Sequence, residues 1–378
     1  MKKTKKILLV EPDYKSLYPP LGLMKISTWH KGQGDAVDFV RGKGLNNRKY
    51  DKVYITTLFT YFAEEVIETI NFYKNFYPSS ELKVGGIFAT LMPEYIKKQT
   101  GIAPHIGLLK SVENCIPDYS LFPTLKYSLT FTTRGCLRNC EYCAVKTHEP
   151  NFLLKDNWEN DIDLSKSRIV FWDNNWFFSP NFSKDIEKLK KINKPFDFNQ
   201  GLDARLFTVE KAKLLSSLRI SPLRFSFDSV KDDGYVQRAI KTAQEFGIDD
   251  IRVYVLYNFK DSPEDFYYRI NELNKLGALS YPMRYRPIDA IDKHYIDVNW
   301  NKESLRALKL ILTFYYSKGM IRKNREAFLK IFGTSPKRVR ERFFDIYMRD
   351  KEKSKARKKE TVFDMSNLNW EEAEMIAV

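Results

Sequence analysis

Apolar and polar positions alternate along this chain in two successive rhythms. Through residues 5 to 110, short apolar runs (KKILLVEP, DKVYITTL, ELKVGGI) are separated by stretches with apolar residues three and four apart, LGLMKISTWHKG and YFAEEVIETINFYKNF. The runs predict buried parallel strands and the spaced stretches amphipathic helices. AVDFV adds a further strand, and APHIGLL reads as an edge strand. The pattern is that of an open doubly wound sheet, which takes ligands at the carboxyl ends of its strands. SVENCIPDYSLFP then interrupts regular structure at Pro117 and Pro123.

From residue 127 the rhythm lengthens. SLTFTT, RIVFW, FDFNQG, LRFSFD, IRVYVLY and MRYRPI are strand candidates, with SKDIEKLKKI, TVEKAKLLSSL, VQRAIKTAQEFG and SPEDFYYRINELNKLG as helices between them. Six strand–helix units predict a partial, open parallel barrel, whose chemistry belongs at the strands' carboxyl ends. After residue 301 the pattern turns helical and basic, and it closes on an acidic tail. The expected division is an α/β domain over 1–112, a linker over 113–126, a partial (β/α)6 barrel over 127–300 and a helical region over 301–378.

Composition narrows the class. No run approaches eighteen uninterrupted apolar residues, which excludes a spanning helix from the pattern. The apolar stretch of MKKTKKILLVEP ends after four residues, so it reads as a first strand behind a lysine leader. Four cysteines in 378 residues exclude a disulfide scaffold, and the expected compartment is the cytosol. The net charge of +15 is concentrated in part between residues 336 and 360. It admits a nucleic-acid partner or a lysine-rich solvated surface.

Three of the four cysteines, Cys136, Cys140 and Cys143, fall within TTRGCLRNCEYCAVKTHEP, directly after the first barrel strand. Cys115 stands apart and reads as a small buried apolar residue. A four-thiolate zinc site lacks its fourth partner here, although His148 keeps a three-cysteine, one-histidine site open. Three thiolates also suffice for a cubane iron–sulfur cluster with one iron left for a non-protein ligand.

The x3-x2 spacing with Tyr142 before the last cysteine closely resembles the radical S-adenosylmethionine (SAM) superfamily. PPLGL and the VGG strand end resemble the subgroup with an N-terminal cobalamin-binding-type domain. The implied fold is a flavodoxin-like or cobalamin-binding-like sheet followed by a radical SAM barrel. The implied cofactors are a 4Fe-4S cluster on Cys136, Cys140 and Cys143 and SAM on its open iron. One-electron reduction, by a partner of flavodoxin or ferredoxin type, then releases a 5′-deoxyadenosyl radical.

By the same resemblance Tyr142 lies against the adenine, and Asp173, Gln200, Asp203, Arg205, Asp228 and Ser229 are candidate SAM contacts. Capping stands as the alternative for Asn175 and Ser229, and a structural ion pair for Asp203 with Arg205. Pro20, Leu21, Gly22, Gly85 and Gly86 border either a corrinoid or a domain interface. The D-x-H-x-x-G motif for a cobalt ligand is absent, and His30 reads as a surface residue of a helix. Cobalamin and a vestigial domain that only shapes the site therefore both stand. Arg284 and Arg286, at i and i+2, share a face; facing inward they imply an anionic substrate, facing outward surface charge. The reaction follows as radical modification or methylation of an unidentified substrate. The alternative from another class is a nucleic-acid-binding protein with a structural or redox-sensing cluster, and an RNA-modifying radical enzyme would satisfy both.

Overall fold

The computed structural model describes residues 3–302 apart from 15, 17 and 45–47, together with residues 304, 305 and 308. Beyond residues 302, 304, 305 and 308, the expected basic helical region after 301, with its acidic tail, lies outside the described residues. Two compact units divide the chain: Met1–Gln200 with Pro287–Tyr295, and Gly201–Arg286 with Ile296 onward. Among the described residues no helix is long and apolar enough to cross a membrane.

The first unit opens as β1 (Lys6–Glu11), α1 (Leu21–Lys31), β2 (Ala36–Arg41), β3 (Lys52–Thr57), α2 (Ala63–Phe76), β4 (Glu81–Gly86), α3 (Ile87–Leu91) and α4 (Pro93–Thr100). The four strands pair in parallel in the order β2-β1-β3-β4. The middle of β1, residues 7–10, is an unbroken apolar run because both its faces are covered. Ile7 and Leu9 pack with Leu23, Ile26 and Val112, while Leu8 and Val10 meet Val53, Ile55, Val66 and Ile70. Cys115 joins the first of these clusters, as a small apolar side chain does. The stretch expected as an edge strand, 103–109, forms no strand. It meets the sheet through His105 N–H to the Val84 carbonyl (2.7 Å), with Pro104 and the left-handed Gly107 (φ 75°) breaking any ladder.

The same unit continues as β5 (Tyr127–Thr130), β6 (Thr133–Arg134), α5 (Val145–His148), β7 (Leu153–Leu154), β8 (Arg168–Phe171), α6 (Phe182–Ile192) and β9 (Phe196–Phe198). β5, β8 and β9 form a parallel sheet in that order, and β6 pairs antiparallel with β7. One face of the sheet is aromatic: Phe171 stacks on Phe198 (4.7 Å) and Phe198 on Trp176 (4.2 Å), which reaches Phe182 of α6 (4.4 Å). The other face carries Leu129, Phe131 and Val170, packed with Leu21 at the start of α1 and flanked by Tyr18.

In the second unit follow α7 (Val209–Ser216), β10 (Leu223–Ser226), α8 (Tyr235–Glu245), β11 (Ile251–Tyr257), α9 (Pro263–Lys275) and β12 (Leu279–Arg284). The strands are parallel in the order β10-β11-β12. Ser262 caps α9, accepting from Asp265 N–H (3.1 Å) while Asp265 accepts from Ser262 N–H (3.0 Å), with Pro263 at the first helical position. All six strands expected from residue 127 onward are present, three in each unit. The last begins four residues earlier than MRYRPI suggests, because Pro282 is tolerated in a strand at the end of its sheet's order.

Candidate active site

The cysteine loop springs from the carboxyl end of β5 and is clamped at its base. Arg134 faces Leu153 across the β6–β7 pair. Gly135 turns with φ 72°, and a Cβ there would stand 2.3 Å from the Asn151 carbonyl oxygen and 2.9 Å from that of Glu149. Only glycine permits both the left-handed turn and this approach. Gly135 N–H donates to Glu149 Oε2 (2.8 Å), Asn174 Nδ2 to the same oxygen (2.8 Å), and Arg134 Nη1 to Glu149 Oε1 (2.6 Å). Burial would raise the Glu149 carboxyl, but Arg134 and the Gly135 N–H outweigh it and hold it below its usual value. Nothing in the sequence marks Glu149, because its partners lie at 134, 135 and 174.

Within the loop, Cys143 N–H donates to the Cys140 carbonyl (3.0 Å), and Arg138 N–H points at Cys136 Sγ (3.4 Å). All three thiols are half-buried and outside any disulfide. Tyr142 is half-buried beside them. His148 turns its Nδ1 to the Ala144 carbonyl (2.9 Å).

Asp173, just past β8, is completely buried. Its Oδ1 accepts from Thr132 Oγ1 (2.6 Å), Thr133 N–H (2.8 Å) and Thr133 Oγ1 (2.9 Å), and both oxygens accept from Thr132 N–H (3.0 Å). Burial raises its pKa to about 6 despite these donors. Asp173 thus ties the end of β8 to the two residues that lead into the cysteine loop. Asn175 next to it is 5 % exposed and makes no cap bond. Its Oδ1, like Trp172 Nε1, is buried without a hydrogen-bond partner among the described residues. Tyr18 packs edge-on to Trp172 (5.5 Å), and its hydroxyl donates to Asn199 Oδ1 just past β9 (2.8 Å).

Behind the loop, three cations surround the buried Phe131 ring. Arg134 stands 3.6 Å from its centroid, and Lys25 and Lys155 4.9 Å each. Lys25 is 2 % exposed, and its ammonium donates to the Glu113 carbonyl (2.6 Å). Burial, and then the charge of Lys155, lower its pKa to about 8. Lys155 pairs with the buried Asp161.

The other expected site residues are distributed as follows. Gln200 is exposed and belongs to the first unit, with Tyr142 and Asp173. Asp203, Arg205, Asp228 and Ser229 belong to the second. Arg205 forms the ion pair with Asp203 (Nε to Oδ1, 2.7 Å) and a second with Asp232 (3.1 Å). Asp228 accepts from Leu256 N–H (3.3 Å), and Ser229 caps a short turn by accepting from Lys231 N–H (3.2 Å). Arg284 is the register partner of Tyr257, which shares the buried positions of Val253 and Val255 and touches Phe266 of α9 (5.2 Å). The register therefore turns Arg284 to the helix side, opposite Tyr254, Leu256, Tyr281 and Met283; Arg286 is half-buried just beyond the strand.

In the N-terminal sheet, Pro20 precedes α1 and Leu21 is committed to the core with Leu129 and Phe131. Gly86 has φ 114°, and a Cβ there would lie 2.2 Å from the Thr57 carbonyl oxygen, whereas Gly22 has open space and Gly85 ordinary contacts. The expected surface position of His30 is corrected. It is 2 % exposed, clamped between Asp35 Oδ2 (2.7 Å) and the Tyr54 hydroxyl (3.0 Å), and burial lowers its pKa. In the last turn of α1 only the His30 side is covered, against Tyr54 of β3, while Trp29 and Lys31 stay exposed.

Two of the implied groups fit what is present. Among the described residues, no three His, Cys, Asp or Glu side chains converge closely enough to hold a single metal ion. A cubane asks for a different arrangement, since each thiolate takes its own iron and the sulfurs stand further apart. Three reduced, accessible thiols on a loop closed at its base meet that demand. For SAM, the orphaned Asn175 Oδ1 at the end of β8 is an acceptor in need of a donor such as an ammonium. A corrinoid fits less well. The crevice at the carboxyl ends of β1 and β3 carries the rings of Tyr14, Phe59 and Phe62, mutually 5.9 to 6.0 Å apart, and Tyr14 is 1 % exposed.

No protein-family model matches the chain, and no curated protein matches it. Among solved structures it is similar to coproporphyrinogen III oxidase of Escherichia coli, described as a radical SAM enzyme, at 12 % identity over 51 % of this chain and 53 % of that one, with TM-score 0.36. It is also similar to SuiB of Streptococcus suis. The form bound to S-adenosylmethionine gives 12 % identity over 52 % and 45 % of the two chains, with TM-score 0.35. A second SuiB structure gives 12 % over 68 % and 63 %, with TM-score 0.37. The matches span about half the length of the first two of these solved chains.

Proposed function

We propose that this protein is a radical SAM enzyme. The observation that carries the reading is the loop 136–143, which offers three thiols outside any disulfide at the carboxyl end of a parallel strand and is locked at its base by Glu149 and Gly135. Cys136, Cys140 and Cys143 would hold a 4Fe-4S cluster, and SAM would bind its open iron, with Tyr142 toward the adenine and Asn174 and Asn175 toward the methionine end. When bound, these groups supply reductive cleavage of the sulfonium and an adenosyl-derived radical; the chemistry is the cofactor's. This chain's own residues orient and shield them. Asp173 holds Thr132 and Thr133, and hence the entry to the loop. Tyr18 and Leu21 cover the inner face of the cluster-bearing sheet, which gives the N-terminal domain an interface role and leaves cobalamin outside the proposal. Candidate contacts in the second unit are Asp203, Arg205, Asp228 and Ser229, and the substrate class is open.

Anaerobic reconstitution with iron and sulfide, reduction, and addition of SAM test the reading. Formation of 5′-deoxyadenosine, unchanged by added cobalamin and lost in Cys140→Ser, is the expected result. A chain that takes up no iron and leaves SAM intact would refute it.

A further inference from the structure

We propose that Arg134 is a positioning residue for the cysteine loop, and that through it Glu113 governs how tightly the loop holds its cluster. The inference rests on the reading of residues 136–143 as a cluster loop. The guanidinium lies between two carboxylates. Its Nε stands 3.1 Å from Glu113 Oε1 and its Nη2 3.3 Å from Glu113 Oε2, while Nη1 stands 2.6 Å from Glu149 Oε1. Glu149 passes the connection on to Gly135 N–H and Asn174 at the base of the loop. On the other side, Glu113 faces the Lys25 ammonium of α1 (3.8 Å). A row of alternating charge, Lys25, Glu113, Arg134 and Glu149, thus runs from the first helix of the N-terminal sheet to the carboxylate that holds Gly135, the residue before Cys136.

The geometry demands arginine. A planar fork can address Glu113 with two donors and Glu149 with a third while lying 3.6 Å from the Phe131 centroid, whereas a lysine ammonium would meet one carboxylate at a time. Glu113 lies just after Val112, which is packed into the core with Ile7 and Leu9, so its carboxylate is anchored to the N-terminal sheet. The sheet thereby reaches the base of the cysteine loop through Arg134 and Glu149.

The test uses the full chain, reconstituted anaerobically, with variants Glu113→Gln, Arg134→Lys and Arg134→Gln, all first checked for wild-type circular dichroism. Iron and sulfide per chain, the rate of iron loss to a chelator and the cluster's reduction potential are measured. Glu113→Gln and Arg134→Lys are expected to lose iron about tenfold faster than wild type, the equivalent of one charge-assisted hydrogen bond. Reduction adds negative charge, so Glu113→Gln should raise the potential and Arg134→Gln lower it, with Arg134→Lys close to wild type because the charge is kept. A purely structural role would not move the potentials in opposite directions. Wild-type iron retention in Glu113→Gln and Arg134→Lys, or potentials that move together, would overturn the inference while leaving the cluster reading intact. A wild-type chain that takes up no iron would overturn both.

Discussion

Replacing Gly135 by alanine should open the cysteine loop while leaving the rest of the fold in place. The new Cβ would have to occupy a point 2.3 Å from the Asn151 carbonyl oxygen at φ 72°, and the obstacle is backbone, which cannot swing aside like the end of a long side chain. The left-handed conformation alone costs a residue with Cβ roughly 1–2 kcal/mol. Relieving the clash separates 135 from 149–151 and breaks the bond from Gly135 N–H to the Glu149 carboxylate, a further loss of about 2 kcal/mol for a hydrogen bond to a charged group. The combined effect, about 3–4 kcal/mol, shifts the loop more than a hundredfold toward an open form. Gly234→Ala is the internal control, because Gly234 has a similar φ of 78° with no atom within 4 Å of the added Cβ, and so only the conformational cost applies. Iron retained per chain after reconstitution and gel filtration, read beside the melting temperature, separates the two. Gly135→Ala should retain little iron and Gly234→Ala the full amount. A Gly135→Ala protein with wild-type iron content and melting temperature would refute the view that this turn holds the loop.

Other consequences are accessible to simpler measurements. Asp173 has a folded pKa of about 6 against 3.8 for the ordinary group, so the folded state binds its proton more tightly. Its contribution to stability is complete below pH 4 and is lost as pH rises through 6, by about 3 kcal/mol. In urea titrations, Asp173→Asn should therefore gain on wild type between pH 4 and pH 7, and a difference constant with pH would count against the assignment. Tyr18→Phe deletes the hydroxyl bonded to Asn199 and should lower stability by about 1 kcal/mol, a shift of roughly 2 °C in melting. An unchanged melting curve would show that this bond contributes nothing. Lys25→Met removes a buried ammonium that is hydrogen-bonded to the Glu113 carbonyl, and it should weaken iron retention as Glu113→Gln does.

The strand–helix alternation was legible because a parallel strand buried on both faces is a short apolar run, as residues 7–10 of β1 are. One buried on alternate positions keeps period two, as β11 does, while their helices carry apolar residues at three and four spacing, as α6 does. Cys136, Cys140 and Cys143 were legible as a set because a cluster's ligands come from one contiguous loop. What closes that loop was not. β6 and β7 are two residues each, too short for any period, and Glu149 acquires its role only from partners supplied by 134, 135 and 174. His30 reads as a surface position of a helix, yet it is buried between Asp35 and Tyr54, and Lys25, which no sequence pattern singles out, is buried with its ammonium on the Glu113 carbonyl. For Arg284 and Arg286 the sequence fixes a shared parity, but the face to which Arg284 points depends on its register with Tyr257, which only the folded ladder supplies.

The division of the chain into two units has a consequence for its synthesis. The first unit is not contiguous, since residues 287–295 return to it, and Lys293 comes to rest 4.0 Å over the Phe62 ring. A ribosome therefore delivers the cysteine loop and its clamp about 140 residues before the segment that completes their unit. Any attempt to express the two units separately has to cut the chain at three places rather than one, after Gln200, after Arg286 and after Tyr295.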